Sequence, residues 1–259
     1  MTLKALLIDI DGTLMFKGQA LPGADHMLHT LQHAGLKVRL LTNISARSTA
    51  DIAQELNDAG ISVCPAMIQT AGVACAQHVH ARPGASCHLL VPQAMEALFD
   101  QIPRSDQSPD FVVIGDIGER FDYRCLNQAF RLIRAGATLL APHRNLYWHS
   151  CEGPMLDAGA FIQGLEAATG REALVTGKPS PLFFQGALDA LGVTAAEAMV
   201  VGDDLRTDGA GARALGMAYV QVATGKGLDT VPDLPPARHR IPSIAALLDH
   251  LNSLPTREA

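Results

Sequence analysis

The chain has 259 residues, of which 48% are hydrophobic and 18% are charged, and its formal net charge is −6. This composition supports one large or two modest globular domains and excludes a disordered chain. There is no basic run and no apolar stretch near the ~20 residues that a membrane span needs, so we expect neither a nucleic-acid nor a membrane partner.

The cysteines bear on the compartment in which the protein works. They are scattered, odd in number and without a Cys-x-x-Cys pair: Cys64, Cys75, Cys87, Cys125 and Cys151. This pattern is typical of free thiols in a reducing compartment, so we expect a cytoplasmic protein without structural zinc.

The first predicted element is a buried strand, because residues 3–8, apart from Lys4, form a continuous aliphatic run rather than an alternating one. It ends in Asp9 and Asp11, and an Asp-Gly turn follows. Ligands of open α/β sheets bind at the carboxyl ends of the strands. Two acids there repel each other unless a cation lies between them, and Mg²⁺ prefers oxygen ligands. The alternative is a polar turn with both acids in solvent.

Strands and helices alternate along the next part of the chain. The pattern predicts a loop over 15–22, a helix over 23–34, a strand over 38–41, a helix ending at 58, a short strand over 67–69 and a helix over 71–81. Arg82-Pro83-Gly84 breaks this pattern, so we predict a domain boundary there.

A second alternating series follows this break. It predicts strands over 87–91, 111–114 and 138–140, helices over 93–100, 123–134 and 157–169, and loops over 103–109 and 141–154. This part of the chain therefore resembles a small α/β domain of its own.

The pattern of the first part then returns. It predicts strands over 174–176, 198–201 and 219–223, helices over 181–191, 207–215 and 244–251, and a loop over 232–242. We therefore predict an α/β fold with a doubly wound, parallel, Rossmann-like core sheet. Its core domain comprises residues 1–83 and 173–259, and an α/β cap domain of residues 84–172 is inserted between them.

Polar clusters follow strands or loops of the predicted core: Asp9 with Asp11, Thr42 with Asn43, Lys178, and Asp203 with Asp208. The carboxyl ends of parallel strands share one edge, so these clusters can converge. A carboxylate nucleophile, a second acid, oxyanion donors, a fixed cation and a metal form an apparatus for phosphoryl transfer. Each cluster alone also has a structural interpretation, such as a surface lysine or an acid at a helix N-terminus.

The order and spacing of the clusters resemble the haloacid dehalogenase superfamily over nearly the whole chain. The matching segments are Asp9-Ile-Asp11-Gly-Thr13, Thr42-Asn43, Lys178-Pro179 and Gly202-Asp203-Asp204 to Asp208. The insert between the second and third resembles a type C2a cap of the nitrophenylphosphatase-like branch. Residues 153–159, 177–181 and 201–204 are most similar to the phospholysine phosphohistidine inorganic pyrophosphate phosphatase subgroup. Ile44 departs from the resemblance, since many relatives have a more polar residue there.

The resemblance implies a phosphatase that hydrolyses small phosphorylated molecules through an aspartyl-phosphate. Asp9 is then the nucleophile, and Asp11 protonates the leaving group and later activates water. Lys178 neutralises the charge of the nucleophile and of the phosphoryl group. Asp9, the backbone carbonyl of Asp11 and Asp203 hold Mg²⁺.

The remaining matched residues are implied to bind or to position. Thr42 and the backbone of Asn43 hold phosphoryl oxygens. Asp204 and Asp208 lie behind the ligands, and Asp208 orients Lys178 or metal-bound water.

The predicted loop over 141–154 contains the only tryptophan, in Tyr147-Trp148-His149. These side chains combine stacking with hydrogen bonding, so we expect them to contact the substrate. The alternative is that they pack the cap or form a homodimer contact through it.

Other functions on the same fold remain open. A haloalkanoate dehalogenase uses the same nucleophile without a metal, but it needs neither Asp11 nor Asp203. A non-catalytic phosphate-binding module would not need the complete set of catalytic residues.

Glycine-rich segments elsewhere suggest nucleotide binding only superficially. Residues 209–214 match a dinucleotide fingerprint but lie inside a predicted helix, so we interpret their small side chains as allowing close packing of that helix. Neither Gly177-Lys178 nor Gly225-Lys226 has the spacing of a P-loop.

Overall fold

The computed structural model describes residues 3–150, 153–228 and 233–253, except for the side chains of residues 149 and 150. The strands are β1 (Ala5–Asp9), β2 (Met15–Phe16), β3 (Gln19–Ala20), β4 (Lys37–Thr42), β5 (Ile68–Thr70), β6 (Cys87–Leu90), β7 (Phe111–Ile114), β8 (Thr138–Ala141), β9 (Tyr147–Ser150), β10 (Gly153–Leu156), β11 (Leu174–Val175), β12 (Ala198–Gly202), β13 (Ala218–Val222) and β14 (His239–Ile241). The α-helices are α1 (Ala24–His33), α2 (Thr49–Asp58), α3 (Ala71–His80), α4 (Gln93–Glu96), α5 (Tyr123–Ala135), α6 (Ala158–Thr169), α7 (Pro181–Leu191), α8 (Ala210–Ala214) and α9 (Leu247–Ser253).

The first of two compact units comprises residues 1–42, 49–69 and 178–259. Its six-stranded sheet has the order β14-β13-β12-β1-β4-β5, and β1 pairs in parallel with both β12 and β4. Every residue of β1 is buried, as a continuous aliphatic run at the centre of a covered parallel sheet should be. The carboxyl ends of β4, β1 and β12 are therefore neighbours at one edge of this sheet.

The second unit comprises residues 43–48 and 70–177 and has its own four-stranded sheet, in the order β11-β8-β7-β6. Strand β11 pairs in parallel with β8, β8 with β7, and β7 with β6. Alternate residues of β7 belong to different apolar clusters: Phe111 and Val113 to one, and Val112 and Ile114 to the other. A sheet covered on both faces is what an inserted α/β domain requires. The α/β fold predicted from the sequence is confirmed by the two parallel sheets and their helices.

The limits of the units differ from the boundaries predicted at residues 83 and 173. Helix α3 groups with the second unit, because its Cys75 and Val79 belong to the same apolar cluster as Cys87 and Val91. The break at Arg82-Pro83-Gly84 is therefore a turn inside this unit.

Several predicted loops contain short strands. The hairpin of β2 and β3 lies within 15–22, β9 and much of β10 within 141–154, and β14 within 232–242. The loop predictions were wrong there because strands of two to four residues with exposed positions show little periodicity. The helix predicted over 207–215 is instead a π-helical turn, Leu205–Gly209, followed by α8.

Two sequence expectations concern the surroundings of the protein. Among the described residues, no helix combines the length and the apolar character that a membrane crossing needs. Cys64, Cys75, Cys87 and Cys125 are free thiols, and Cys151 lies outside the described residues.

The glycines at 209 and 211, one just before α8 and one within it, confirm the interpretation of close packing. A Cβ atom added to Gly211 would overlap the ring of Phe184 on α7, and one added to Gly209 would come within 3.1 Å of the Tyr219 ring. The sequence Gly-Ala-Gly at 209–211 therefore lets α8 approach α7 and β13.

We expect Gly211→Ala to destabilise the protein by about 1–3 kcal/mol, because the added methyl group overpacks a filled contact. Urea unfolding would measure the loss. The matched control is Gly164→Ala in α6, where nothing lies within 4 Å of an added Cβ. That control should be neutral or stabilising by up to about 1 kcal/mol. Equal effects of the two substitutions would contradict the close approach of α8 and α7.

Candidate active site

The end of β1 carries a buried carboxylate, Asp9, which is 3% exposed. The chain then turns around the carbonyl of Ile10, which accepts the backbone N–H of Leu14 at 2.9 Å. Gly12 permits this turn because its φ of 88° lies in the left-handed region. The turn brings Thr13 back to the strand, where its Oγ1 donates to Asp9 Oδ2 at 3.1 Å. One oxygen of Asp9 is thereby held in a fixed direction.

Lys178 supplies a buried positive charge beside this carboxylate. Its Nζ donates to Asp9 Oδ1 at 2.5 Å and to Asp208 Oδ1 at 2.8 Å, and its side chain is 6% exposed. Burial by itself would lower the pKa of Lys178, but the carboxylates of Asp208 and Asp9 outweigh burial and raise that pKa above its usual value. The ammonium group therefore stays charged and holds two carboxylates together.

Asp203 and Asp208 reach the site from the end of β12. Asp203 follows the last residue of that strand and is 4% exposed. Asp208 lies in the π-helical turn Leu205–Gly209, in which the N–H groups of Asp208 and Gly209 both donate to the Asp204 carbonyl, at 2.9 and 3.2 Å. Such wide turns are frequent at functional sites. Here the turn presents Asp208 to the buried lysine.

Three of these acids form a buried cluster. Carboxylate oxygens of Asp9, Asp203 and Asp208 lie within 4.8 Å of one another, the one such group of possible metal ligands in the described part of the chain. Burial raises the pKa of Asp9 to about 6, that of Asp203 to about 6 and that of Asp208 to about 7, and repulsion between the carboxylates acts in the same direction. Buried oxygen donors that repel one another match a hard divalent cation such as Mg²⁺.

The segment after β13 makes contacts that sequence reasoning missed. The backbone N–H of Lys226 donates to Asp203 Oδ2 at 2.7 Å, and its Nζ donates to Asp204 Oδ2 at 2.9 Å. Asp204 Oδ1 accepts the N–H of Arg206 at 2.8 Å. Burial opposes the charged form of Asp204, but the bonds from Lys226 and Arg206 lower its pKa below the usual value. The sequence signal for Lys226 is its place between two glycines in the segment that follows a parallel strand.

The other residues predicted for the core site lie at or near the same sheet edge. Thr42 is buried at the end of β4, one residue after Leu41, the residue that pairs with Asp9 across the sheet. Asn43 follows it in the chain, is half-buried and groups with the second unit. Asp11 lies in the turn after β1, where its side chain is exposed.

The aromatic residues predicted to contact substrate lie on the hairpin of β9 and β10 in the second unit. Tyr147 is 59% exposed and pairs with Leu156, and Trp148 is 47% exposed and pairs with Met155. Both faces of the hairpin therefore present apolar side chains. The backbone of His149 belongs to β9, but its side chain lies outside the described residues. The role of this hairpin stays a prediction.

Family models match both ends of the chain. A model described as haloacid dehalogenase-like hydrolase matches residues 6–102. A second, described as HAD-hydrolase-like, matches residues 175–249. The first match contains Asp9, Asp11 and Thr42, and the second contains Lys178 and Asp203.

The chain is also similar to individual proteins over most of its length. It is 38% identical to the phospholysine phosphohistidine inorganic pyrophosphate phosphatase of Bos taurus over 229 residues, which is 86% of this chain and 84% of the relative. The structure of NagD from Escherichia coli K-12 superposes with a TM-score of 0.85 and 28% identity, covering 95% of this chain and 98% of NagD. For 4-nitrophenylphosphatase from Thermotoga maritima, the TM-score is 0.81, the identity 28% and the coverage 95% and 97%.

We expect Lys178→Met to destabilise the protein by about 3–5 kcal/mol at neutral pH, because it leaves Asp9 and Asp208 buried without their counter-charge. Urea unfolding of the metal-free protein would measure this loss. The matched control is Lys4→Met, which removes an ion pair with Glu197 whose side chains are 57% and 26% exposed. An exposed pair contributes less than about 1 kcal/mol. If both variants lost equally little, Lys178 would not be the cation that keeps the buried carboxylates charged.

Proposed function

We propose that this chain is Mg²⁺-dependent and hydrolyses small phosphorylated molecules through a covalent phosphoryl group on Asp9. The chain is a phosphatase that belongs to the haloacid dehalogenase-like hydrolase family. The observation that carries the proposal is the buried Asp9 carboxylate, which is bonded to Lys178 and lies within 4.8 Å of the Asp203 carboxylate. A nucleophile, a cation and a metal ligand thus occupy one buried cluster.

The donor set fits Mg²⁺. Asp9, Asp203 and the backbone carbonyl of Asp11 would hold the ion, since all three are oxygen ligands. One carboxylate oxygen of Asp208 accepts a hydrogen bond from Lys178. This bond supports a role for Asp208 in positioning Lys178 rather than in binding the metal. When bound, Mg²⁺ offsets the negative charge of the carboxylates and of the phosphoryl group.

The covalent steps are assigned to two acids. An oxygen of Asp9 attacks phosphorus while the bond to the leaving group breaks, and Asp11 gives its proton to the leaving atom, which is oxygen in an ester or pyrophosphate and nitrogen in a phosphoamidate. In the second step Asp11 takes a proton from water, which attacks the phosphoryl group and releases phosphate and the Asp9 carboxylate. The exposure of Asp11 in the turn after β1 supports this role, because the acid must exchange protons with substrate and water.

Binding of the phosphoryl oxygens is assigned to Thr42, Asn43 and Lys178. Thr42 ends the strand beside β1, and Lys178 already bonds the nucleophile. Asp208 fixes the ammonium group of Lys178, and Asp204 fixes the turn that carries Asp208. Oriented donors of this kind stabilise the charge that develops on a transferred phosphoryl group.

For the substrate we propose a phosphomonoester, phosphoamidate or pyrophosphate. The similar proteins support this range, since one is described as acting on phospholysine, phosphohistidine and pyrophosphate and another on a nitrophenyl ester. We also propose a cytoplasmic location, which the free thiols of the described cysteines support. The net charge of −6 supports the expectation of no nucleic-acid partner.

We expect Asp9→Asn to lower turnover of a generic aryl phosphate by about 10⁴-fold or more, the scale on which loss of a catalytic nucleophile acts. Assays with Mg²⁺ and with a chelator would measure turnover, and the matched control is Asp249→Asn on the exposed side of α9.

Near-normal turnover of Asp9→Asn, with deamidation excluded by mass spectrometry, would rule out the covalent route. Full turnover in chelator would rule out the metal, and release of halide from a haloalkanoate would indicate a dehalogenase. A wild-type protein without any turnover would indicate a binding module.

For discrimination between substrates we propose the hairpin of β9 and β10. Tyr147 and Trp148 offer flat apolar surface, and the adjacent His149 offers a polar group. Every phosphomonoester presents the same phosphoryl group, so discrimination must come from contacts with the leaving group. The exposure of the apolar pairs on this hairpin supports a role in contacting another molecule.

We expect the triple substitution Tyr147→Ala, Trp148→Ala and His149→Ala to change relative kcat/KM among large phosphorylated substrates, while hydrolysis of acetyl phosphate changes much less. Steady-state assays over a substrate panel would measure the change. Equal losses for all substrates would indicate that the hairpin is structural. Conversion of a dimer to a monomer, measured by light scattering, would instead assign these residues to a homodimer contact through the cap.

A further inference from the structure

The turn that follows β13 contacts two separate parts of the candidate site. Thr224 Oγ1 donates to the carbonyl oxygen of Gly12 at 2.5 Å, and the N–H of Lys226 donates to Asp203 Oδ2 at 2.7 Å. Gly12 belongs to the turn after the nucleophile, and Asp203 follows β12. Residues 224–226, called the brace below, therefore connect the nucleophile turn to a proposed metal ligand.

The brace fits against these partners without free space. Gly225 has a φ of 50°, and a Cβ atom there would overlap the Asp203 carboxylate and come within 2.7 Å of Gly12 Cα. A Cβ atom on Gly12 would also overlap the Asp203 carboxylate. Side chains of any size would separate these three segments, so the two glycines are required for the contact.

Further bonds hold the brace and Asp203 in place. Gln221 Nε2, on β13, donates to the backbone carbonyl of Asp203 at 3.1 Å. The N–H of Gly227 donates to the Thr224 carbonyl at 2.7 Å and closes the turn. The Lys226 ammonium contacts Asp204, but that side chain is 69% exposed, so the ion pair contributes little. The Thr224 hydroxyl and the Lys226 N–H are therefore the main connections.

We propose that the brace holds the Asp203 carboxylate in its metal-binding position before Mg²⁺ arrives, and that Thr224 is a positioning residue for the metal site. The carboxylates of Asp9 and Asp203 repel each other, so without a metal ion between them they tend to move apart. A backbone N–H on one Asp203 oxygen opposes that movement, and Thr224 ties the donor to the turn beside Asp9. Partners behind metal ligands commonly set affinity in this way. The inference rests on the Mg²⁺ dependence proposed above.

The test is substitution of Thr224 by Val, which keeps the shape of the side chain and removes the hydroxyl donor. We expect the Mg²⁺ concentration that gives half of the full thermal stabilisation to rise about 10-fold. This measurement uses the whole chain without substrate, so it does not depend on activity. The half-saturating Mg²⁺ concentration for turnover should rise in parallel. Thr224→Ser keeps the hydroxyl, so its Mg²⁺ midpoint should stay within about twofold of wild type, well below the rise expected for Thr224→Val.

The matched control is Thr30→Val on α1. Thr30 is half-buried like Thr224, lies in the same unit, and its Oγ1 donates to the His26 carbonyl at 2.8 Å. Its loss should leave the Mg²⁺ midpoint unchanged, because a side-chain bond within one exposed helix face has no connection to the metal site. If Thr224→Val does not fold, Thr224→Ala, which adds no bulk, is measured against the same expectation.

Each outcome decides the proposal. If the Mg²⁺ midpoint of Thr224→Val or Thr224→Ala equals that of wild type, the positioning role of the brace is overturned, while the Mg²⁺ dependence proposed above is unaffected. Failure of Thr224→Ser to restore the midpoint, or an equal shift in Thr30→Val, also overturns it, because the effect would then be general. If Mg²⁺ neither stabilises the wild-type protein nor supports its turnover, the Mg²⁺ dependence proposed above fails and the brace with it.

Discussion

The contact between Lys178 and Asp9 is the interaction on which the rest of the site depends. The two residues are 169 positions apart, yet Nζ and Oδ1 are 2.5 Å apart and the side chains are 6% and 5% exposed. A buried ammonium persists only beside carboxylates, and a buried carboxylate persists only beside a cation or strong donors. The discontinuous core makes this contact possible, because it brings a late segment of the chain to the end of the first strand. The fold and the charge state of the site therefore require each other.

Close approach of the carboxylates depends on backbone without side chains. A Cβ atom on Gly12 would overlap Asp203, and one on Gly202 would overlap the carboxylate of Asp208. Steric overlap with a neighbouring carboxylate thus explains why Asp-Gly-Thr and Gly-Asp-Asp each contain glycine rather than a residue with a side chain. They allow acids from neighbouring strands to come within one cluster, and that crowding is what makes a divalent cation a fitting occupant.

The residues that meet in this cluster could be predicted because their signals are carried by side chains and by strand type. Buried parallel strands are continuous aliphatic runs, so β1 and β12 were evident, and the acids directly after them marked the sheet edge. The contact of Lys226 with Asp203 was not evident, because its donor is a backbone N–H that every residue except proline has. Similarly, the described side chains of β9 and β10 show no alternation of buried and exposed residues from which these strands could be recognised.

The two units divide the proposed function in a way that follows from their packing. The proposed nucleophile, the ammonium group and the carboxylate cluster all belong to the first unit, and Asp9 and Asp203 lie at the ends of strands whose residues are buried. Small displacements there would be costly, because phosphoryl transfer depends on position and charge. The hairpin from Tyr147 to Leu156 has short strands with exposed faces, so its side chains can change at little cost to stability. A fixed core with an alterable hairpin would explain why similar chains carry names that refer to different phosphorylated substrates.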